Sequence, residues 1–374
     1  MTKKRDIGLL HRFAYPPYRM EAVGQDEVLV CGGGGASKTG VPNQLEIVRL
    51  EAGQGPLPAV RSLGRTSTGT EAVMSAGILG AGPVAVVMAA EGSVCQEYQV
   101  DANRKFTKGR SVRCPAGINT VRVSPDGAGV ALGLSDGSVR LHRLSDFGLI
   151  AEFRAHASEV ACLDASPGFR RVATAGGGTN EPVARLWRQD GSKVTELAPP
   201  ARLTGQVAFR HCLLGRPESV GANEAAFASL LPTGRARGKA PCHLAVWDLS
   251  AGYRLRACVS TGPELTSALR LSDEGRFLGL ATLDGTVSVY AAFSLQRLYR
   301  LPQAHSVFLT DLVFMPPLRA LRAGNDWELL SVSADCLMRW HRCPTRPTYS
   351  CFWPLIGAAI IVFLFFYALS ELGL

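Results

Sequence analysis

The sequence is poor in the residue patterns that mark common enzyme and metal sites. Its 374 residues include only seven histidines, none in a metal-binding motif, and its ten cysteines form no Cys-x-x-Cys pair. We therefore expect reduced, buried cysteines in a cytosolic domain rather than a disulfide framework. With no hydrolase or transferase constellation, an interaction protein with no bond chemistry and no small-molecule substrate is favoured over an enzyme.

The chain carries a formal net charge of +9, which permits acidic partners but names none. The densest basic stretch lies between two strand patterns, where it predicts a solvated loop, and contains Arg104, Lys105, Lys108, Arg110 and Arg113. No helix-turn-helix, zinc finger or basic helix accompanies it. We therefore do not expect a nucleic-acid partner.

One long uncharged segment occupies residues 351–369 near the C-terminus. A helix of that length rises about 28 Å, enough to cross the apolar core of a bilayer. Trp353 and Tyr349 suit a membrane interface, and Pro354 lies near the start, where a helix tolerates it. A buried core helix is the alternative, disfavoured because uncharged runs this long are rare in soluble domains.

Basic residues predict the orientation of this C-terminal transmembrane helix. Arg339, Arg342 and Arg346 precede it, so the positive-inside rule keeps the N-terminal side in the cytosol. No apolar segment of a signal peptide follows the basic N-terminus. We expect a cytosolic domain over residues 1–343, a linker over 344–350, the helix over 351–369 and a short tail over 370–374.

Four consecutive glycines, Gly32, Gly33, Gly34 and Gly35, open the most distinctive stretch of the chain. A phosphate-binding loop would need glycine where Ser37 stands, and a dinucleotide-binding loop needs glycine at that same position. Both motifs also open a helix, whereas strand-like segments flank this loop on both sides. The pattern therefore predicts a strand–loop–strand unit, not a nucleotide site.

The body of the chain repeats itself. Asp136-Gly137-Ser138-Val139-Arg140-Leu141-His142 resembles Asp284-Gly285-Thr286-Val287-Ser288-Val289-Tyr290. Corresponding positions occur 50, 44, 45, 60, 43 and 50 residues apart, at Val48, Tyr98, His142, Trp187, Trp247, Tyr290 and Trp340. A period of this length with four strand signals per unit is typical of a β-propeller. We predict an all-β, seven-bladed, WD-repeat-like propeller with the glycine-rich loop in its first blade.

Two details follow from the repeat. Ala155-His156 and Ala304-His305 open units in the manner of the Gly-His of WD repeats, so we expect structural roles for both histidines. The longest interval, before Trp247, contains a Pro-, Gly- and Arg-rich stretch, which predicts a surface insertion near residues 205–242.

Taken together, these features resemble one family over essentially the whole chain. The glycine-rich loop with Gly40-Val41-Pro42-Asn43, the WD-like blades, the C-terminal span and the segment Ala292-Phe293-Ser294-Leu295-Gln296 are similar to the prolactin regulatory element-binding proteins. That family comprises endoplasmic-reticulum membrane exchange factors for the small GTPase of the coat protein complex II.

The resemblance implies a role for each position of the loop. Backbone carbonyls of Gly32, Gly33, Gly34, Gly35 and Gly40, with the side-chain oxygen of Asn43, would coordinate a potassium ion, while Val41, Pro42 and Asn43 would contact the GTPase. Oxygen ligands suit such a cation. Lys38 departs from a neutral loop by adding a positive charge near the ion.

The resemblance also implies an activity: the loop promotes GDP release from the GTPase at the endoplasmic-reticulum membrane. Two alternatives remain from the sequence. One is a membrane-anchored propeller scaffold without exchange activity. The other is a DNA-binding regulator, against which the membrane span argues.

Overall fold

Strands supply nearly all of the regular structure. The computed structural model describes residues 8–344 except 38–39, 54–56, 81–83, 178–180, 205–206, 216–223, 234–239, 251 and 318–323, and beyond them residues 356, 360–364, 366 and 371. Within these residues, twenty-eight strands form seven four-stranded sheets. The predicted seven-bladed propeller is confirmed.

Each blade is an antiparallel sheet, and in six of the seven the strands follow one another along the chain. Blade one contains β2 (Pro17–Val23), β3 (Glu27–Gly32), β4 (Gln44–Glu51) and β5 (Ala59–Ser67). Blade two contains β6 (Ala76–Leu79), β7 (Ala85–Glu91), β8 (Val94–Val100) and β9 (Phe106–Arg113). Blade three contains β10 (Ile118–Val123), β11 (Gly129–Leu134), β12 (Ser138–Arg143) and β13 (Leu149–Arg154). Blade four contains β14 (Val160–Ala165), β15 (Val172–Gly176), β16 (Ala184–Trp187) and β17 (Lys193–Leu197).

The remaining blades complete a ring. Blade five contains β18 (Val207–Gly215), β19 (Ala225–Pro232), β20 (Cys242–Asp248) and β21 (Arg254–Gly262). Blade six contains β22 (Thr266–Leu271), β23 (Phe277–Thr282), β24 (Val287–Ala291) and β25 (Arg297–Leu301). Blade seven contains β26 (Leu309–Phe314), β27 (Asn325–Ser333), β28 (Leu337–Pro344) and, from the other end of the chain, β1 (Gly8–Arg12). The first strands of neighbouring blades contact one another all the way around, with β26 against β2.

The N-terminal strand closes the ring. β1 pairs with β28 so that Gly8 lies opposite Trp340 and Arg12 opposite Leu337. The final blade therefore joins residues from both ends of the described propeller. Closure packs both faces of every blade against a neighbour, and only the outer strand of each blade keeps an open edge.

Antiparallel order gives the propeller two distinct faces. On one face, the first strand of each blade begins, the second strand ends and the third strand begins. This face carries the glycine-rich loop between β3 and β4, and we call it the loop face. Turns from first to second and from third to fourth strands lie on the opposite face. β28 is a third strand, so the described propeller ends at Pro344 on the opposite face.

All seven repeated positions lie in the third strands of the blades, but in blade seven the equivalent residue is the neighbour of the predicted one. Trp187 pairs with Val172 in blade four, two residues before Thr174. In blade seven it is His341 that pairs with Leu329, two residues before Ser331. His341, not Trp340, therefore corresponds to Trp187. Successive strand residues point to opposite sides of a sheet, and Trp340 packs instead in the cluster shared with blade one.

Two other expectations change. The predicted insertion near residues 205–242 is wrong in part, because β18 and β19 are the first two strands of blade five and Phe227 in β19 is fully buried. The basic stretch after Arg104 is a strand, β9, on the outer edge of blade two, rather than a loop. Its exposed Arg110 pairs with Glu97 of the adjacent strand, at 2.9 Å.

The nine cysteines among the described residues are all free, and six of them are buried, which agrees with the prediction of reduced, buried cysteines. Most of the predicted span over residues 351–369 lies outside the described residues. No helix in the described part of the chain is long and apolar enough to cross a bilayer.

Candidate functional site

The glycine-rich loop is the turn between the second and third strands of blade one. It leaves β3 at Gly32 and enters β4 at Gln44. Lys38 and Thr39 lie outside the described residues. The strand–loop–strand context predicted for the four glycines is therefore confirmed, and the loop projects on the face where the first strands begin.

The first two glycines are required by close backbone packing. A Cβ atom on Gly32 would lie 2.1 Å from the carbonyl oxygen of Pro16. Gly33 has a φ of +149° and donates its N–H to that same oxygen at 3.1 Å. A Cβ atom on Gly33 would lie 2.1 Å from Oδ1 of Asn43. Both positions exclude a side chain because backbone and a fixed amide occupy the space.

Asn43 organises the loop from its far end. Its Oδ1 accepts the N–H of Gly35 at 2.8 Å, and its Nδ2 donates to the carbonyl of Gly35 at 3.0 Å and to that of Gly69 at 3.1 Å. The backbone carbonyl of Asn43 accepts the N–H of Thr68 at 3.0 Å. The residue is 6% exposed. Its amide therefore positions both limbs of the loop.

The described outer surface of the loop consists of small residues. Ala36, Ser37, Gly40 and Pro42 are exposed. Val41 is half-buried and packs against the apolar cluster between blades seven and one. Of the three residues expected to contact a GTPase, Pro42 is the exposed one, and Asn43 is enclosed behind it.

The loop offers the ligand chemistry that a potassium ion takes. Backbone carbonyls are the oxygen ligands that coordinate potassium in proteins. The carbonyl of Gly34 accepts the Ser37 hydroxyl at 2.9 Å and that of Gly35 accepts the Asn43 amide at 3.0 Å, so among the described residues each keeps one lone pair for an ion. The donor set fits the ion in kind. Among the described residues no cluster of His, Cys, Asp and Glu could hold a metal ion.

The histidine of blade four has the structural role expected from its repeat position. His156 is 1% exposed, and its Nε2 lies 3.0 Å from Oγ1 of Thr174, which also accepts the indole N–H of Trp187 at 2.9 Å. Nδ1 faces Glu181 at 3.3 Å. Burial and the nearby Arg185 lower the pKa of His156, so the ring is neutral in the fold.

Blade seven contains an extended version of the same network. His305 Nδ1 lies 3.1 Å from Asp335, its Nε2 lies 2.8 Å from Oγ of Ser331, and that hydroxyl lies 2.8 Å from Nε2 of His341. Tyr299 completes it with its hydroxyl 3.1 Å from Nδ1 of His341. One arrangement of the hydrogens satisfies every group in this network. The Tyr299 hydroxyl donates to His341, and each following group donates to the next until His305 donates to Asp335.

This network contains the Asp-His-Ser grouping of a serine hydrolase but not its geometry. Ser331 is fully buried, so no substrate reaches its hydroxyl. The sequence also holds Gly133-Leu134-Ser135-Asp136-Gly137, which matches the Gly-x-Ser-x-Gly pattern of a nucleophile elbow. Those residues link β11 to β12, two strands, whereas the elbow joins a strand to a helix. Neither grouping forms a hydrolase site.

A buried ion network joins blades across the central channel. Arg270 donates to both carboxylate oxygens of Asp311, at 2.9 and 2.6 Å, and to the carbonyl of Met20 at 2.9 Å. Burial raises the pKa of Asp311, but Arg270 and Arg19 outweigh it and hold that pKa below its usual range. These contacts tie blade one, which carries the loop, to blades six and seven.

Comparison with known proteins connects this architecture to an activity. The chain is 30% identical over 395 residues to the guanine nucleotide-exchange factor SEC12 of Mus musculus, covering 92% of this chain and 93% of that protein. It is 29% identical over 394 residues to the Rattus norvegicus protein of the same name. SEC12-like protein 2 of Arabidopsis thaliana is 27% identical over 201 residues, 53% of this chain and 46% of that protein. No family model matches the chain.

Proposed function

The chain belongs to the SEC12 guanine nucleotide-exchange factor family, and we propose on that basis that it accelerates GDP release from a small GTPase through its glycine-rich loop. The observation that carries the proposal is the loop itself, hydrogen-bonded by Asn43 on one face of the propeller, in a chain that aligns with an exchange factor over 92% of its length. The GTPase we propose is that of the coat protein complex II.

The mechanism needs no bond chemistry from this chain. An exchange factor binds the nucleotide-free GTPase more tightly than the GDP-bound form, and linkage then weakens GDP binding by the same factor. The exposed loop residues Ala36, Ser37, Gly40 and Pro42 press against the nucleotide site of the partner. Because Asn43 already fixes the loop, little conformational entropy is lost on binding.

Potassium is part of the proposal. When bound, the ion would offset the mutual repulsion of the clustered carbonyls of Gly34 and Gly35 and stiffen the loop. Exchanging potassium for tetramethylammonium is expected to speed hydrogen exchange at the Gly35 amide while the blade amides stay unchanged. Equal rates in both salts would remove the ion from the account.

We also place the chain in the endoplasmic-reticulum membrane through one C-terminal helix. Residues 360–364 and 366 are helical, and their large apolar side chains are each more than half exposed, which supports a lipid-facing segment. Residues 345–350 can span at most about 20 Å. The opposite face, where β28 ends, then lies toward the bilayer and the loop face points into the cytosol.

The experiment that tests the activity is GDP release. The full chain in liposomes is mixed with the purified GTPase carrying a fluorescent GDP, and release is followed in excess GTP. We expect acceleration that is proportional to the chain at low concentration. Tight binding of the GTPase in every nucleotide state without acceleration would make the chain a scaffold instead.

A further inference from the structure

A second feature of the loop face is a wide cavity at the mouth of the central channel. Its volume is 610 Å³, and it opens among the starts of first strands and the ends of second strands. Arg210 is the one formally charged side chain among its described lining residues. The cavity is therefore a depression of mixed polar and apolar lining with little charge, in the same surface that carries the glycine-rich loop.

Large apolar side chains stand exposed around this mouth. Met74 is 56% exposed, Leu283 is 47% exposed and Phe308 is 46% exposed, and all three line the cavity. We call these residues, with the half-buried Tyr18, the channel rim. They come from blades one, two, six and seven, so the rim is a composite surface. Clustered exposed apolar side chains of this kind mark interaction sites in soluble domains.

Buried hydroxyls inside the cavity lack partners. Oγ1 of Thr266, in a residue 3% exposed, and Oγ of Ser267 are buried with no hydrogen-bond partner in the described structure. Both atoms have almost no accessible surface, so they lie beneath the cavity floor, and the part of the cavity that a protein segment can cover is the channel rim with its exposed apolar side chains.

The rim is continuous with the base of the glycine-rich loop. Pro16, whose carbonyl accepts the N–H of Gly33, is followed by Pro17, whose carbonyl accepts the Thr310 hydroxyl at 2.7 Å. Thr310 and the next residue after Pro17, Tyr18, both line the cavity. A partner seated on the loop therefore meets the channel rim without crossing to another surface.

Interface size gives the reason for a second contact. A stable interface uses about 20–30 residues a side and an apolar core. The exposed described part of the loop offers four small residues, Ala36, Ser37, Gly40 and Pro42. The described part of the loop is thus too small to supply the affinity alone.

We propose that the channel rim is the docking surface that gives the GTPase its affinity, while the loop acts on its nucleotide. This inference rests on the proposed exchange function and assigns the two steps to different residues. The rim contributes equally to the GDP-bound and nucleotide-free complexes, so it lowers KM without changing kcat.

The test separates the two parameters. Exchange by the full chain in liposomes is measured against increasing concentrations of the GTPase of the coat protein complex II loaded with fluorescent GDP. Leu283→Glu and, in another blade, Met74→Glu are compared with Leu149→Glu, a matched control that is 49% exposed at the start of an outer strand. Thermal unfolding of all variants verifies the fold.

We expect both rim variants to raise KM about tenfold at constant kcat, the effect of removing an apolar hot spot. Leu149→Glu leaves both parameters unchanged. An accelerating wild type whose KM is insensitive to both rim substitutions overturns the inference and leaves the exchange proposal intact. If the wild type self-associates and Leu283→Glu abolishes that association without changing KM, the rim binds a second copy of the chain, and the inference is overturned as well. A wild type without exchange activity overturns both.

Discussion

The side-chain amide of Asn43 bonds both backbone groups of Gly35, accepting its N–H at 2.8 Å and donating to its carbonyl at 3.0 Å. This cyclic pair joins the two limbs of the glycine-rich loop across eight positions of sequence. The family resemblance implies that Asn43 contacts the partner, but its hydrogen bonds suit it to positioning the glycine-rich loop.

Asn43→Asp separates the donor and acceptor roles of that amide. The carboxylate can still accept from Gly35 but places an anionic oxygen against the carbonyls of Gly35 and Gly69. We expect the free energy of unfolding to fall by about 1–3 kcal/mol, the cost of unsatisfied buried groups, and hydrogen exchange at Gly35 to accelerate. A loop as protected in Asn43→Asp as in the wild type would contradict the positioning role.

Gly33→Ala is expected to displace the loop, because the new Cβ would lie 2.1 Å from Oδ1 of Asn43 at a φ of +149°. A loss of about 2 kcal/mol of stability and slower GDP release should follow, since both strain and a broken amide contact contribute. Gly252→Asn is the matched control: its φ is +77°, no heavy atom lies within 4 Å of the added Cβ, and it lies on the opposite face. Equal effects of the two substitutions would mean that the contact with Asn43 is unimportant.

Asp311→Ala should be among the most destabilising single substitutions in the propeller. It leaves the buried guanidinium of Arg270 without its bidentate partner, at a cost of about 3–5 kcal/mol. Among the described residues Arg270 then keeps only Glu21 as a carboxylate partner, at 3.2 Å. The double variant Arg270→Met/Asp311→Leu removes both charges and should recover much of that loss. Urea unfolding in detergent measures both variants; a double variant less stable than Asp311→Ala would rule out the broken charge pair as the cause.

Acid should destabilise the propeller through its buried histidines. Burial, with smaller effects of His305 and Arg339, lowers the pKa of His341 to about 3. The unfolded chain, with a histidine pKa near 6.5, binds the extra proton first, so stability is full above that pH and falls as pH drops toward 3. Asp164, whose pKa burial raises to about 6, acts in the opposite direction as pH rises from about 4 to 6.

For His341 alone the expected loss between pH 7 and pH 5 is about 2 kcal/mol. His341→Gln keeps a donor and an acceptor but does not titrate, so its stability should depend less steeply on pH. Unfolding free energies of both proteins at the two pH values provide the comparison. Parallel pH profiles for wild type and variant would show that His341 does not titrate on unfolding.

The orientation at the membrane can be tested with fluorophores on the two faces. Ser250, in an exposed turn of blade five on the opposite face, should be quenched strongly by a quencher attached to lipid headgroups. Thr70, exposed beyond the end of β5 on the loop face, should be quenched weakly. The reverse pattern would place the loop against the bilayer.

Sequence periodicity was sufficient for the architecture because each blade repeats a local pattern of turn and alternating strand. Periodicity was insufficient in blade seven, where aligning the repeats on an aromatic residue selects Trp340. Only the strand pairing shows that His341 is equivalent to Trp187. The strand β18 was missed because Pro and Gly clusters flank it.

The functional surface divides in the same way. A glycine run and Asn43 are contiguous in sequence, so the loop could be found without a structure. The channel rim could not, because Met74 and Leu283 approach one cavity from blades that are far apart in the chain. Side-chain partners such as that of Asn43 with Gly69 are likewise invisible to a motif.

The most direct test of the account is the rate of GDP release at saturating GTPase for the wild type and for Asn43→Ala. If the loop fixed by Asn43 acts on the nucleotide, kcat should fall at least about tenfold while KM, set by the channel rim, changes little. An unchanged kcat in a folded Asn43→Ala protein would contradict the central claim that this loop performs the exchange.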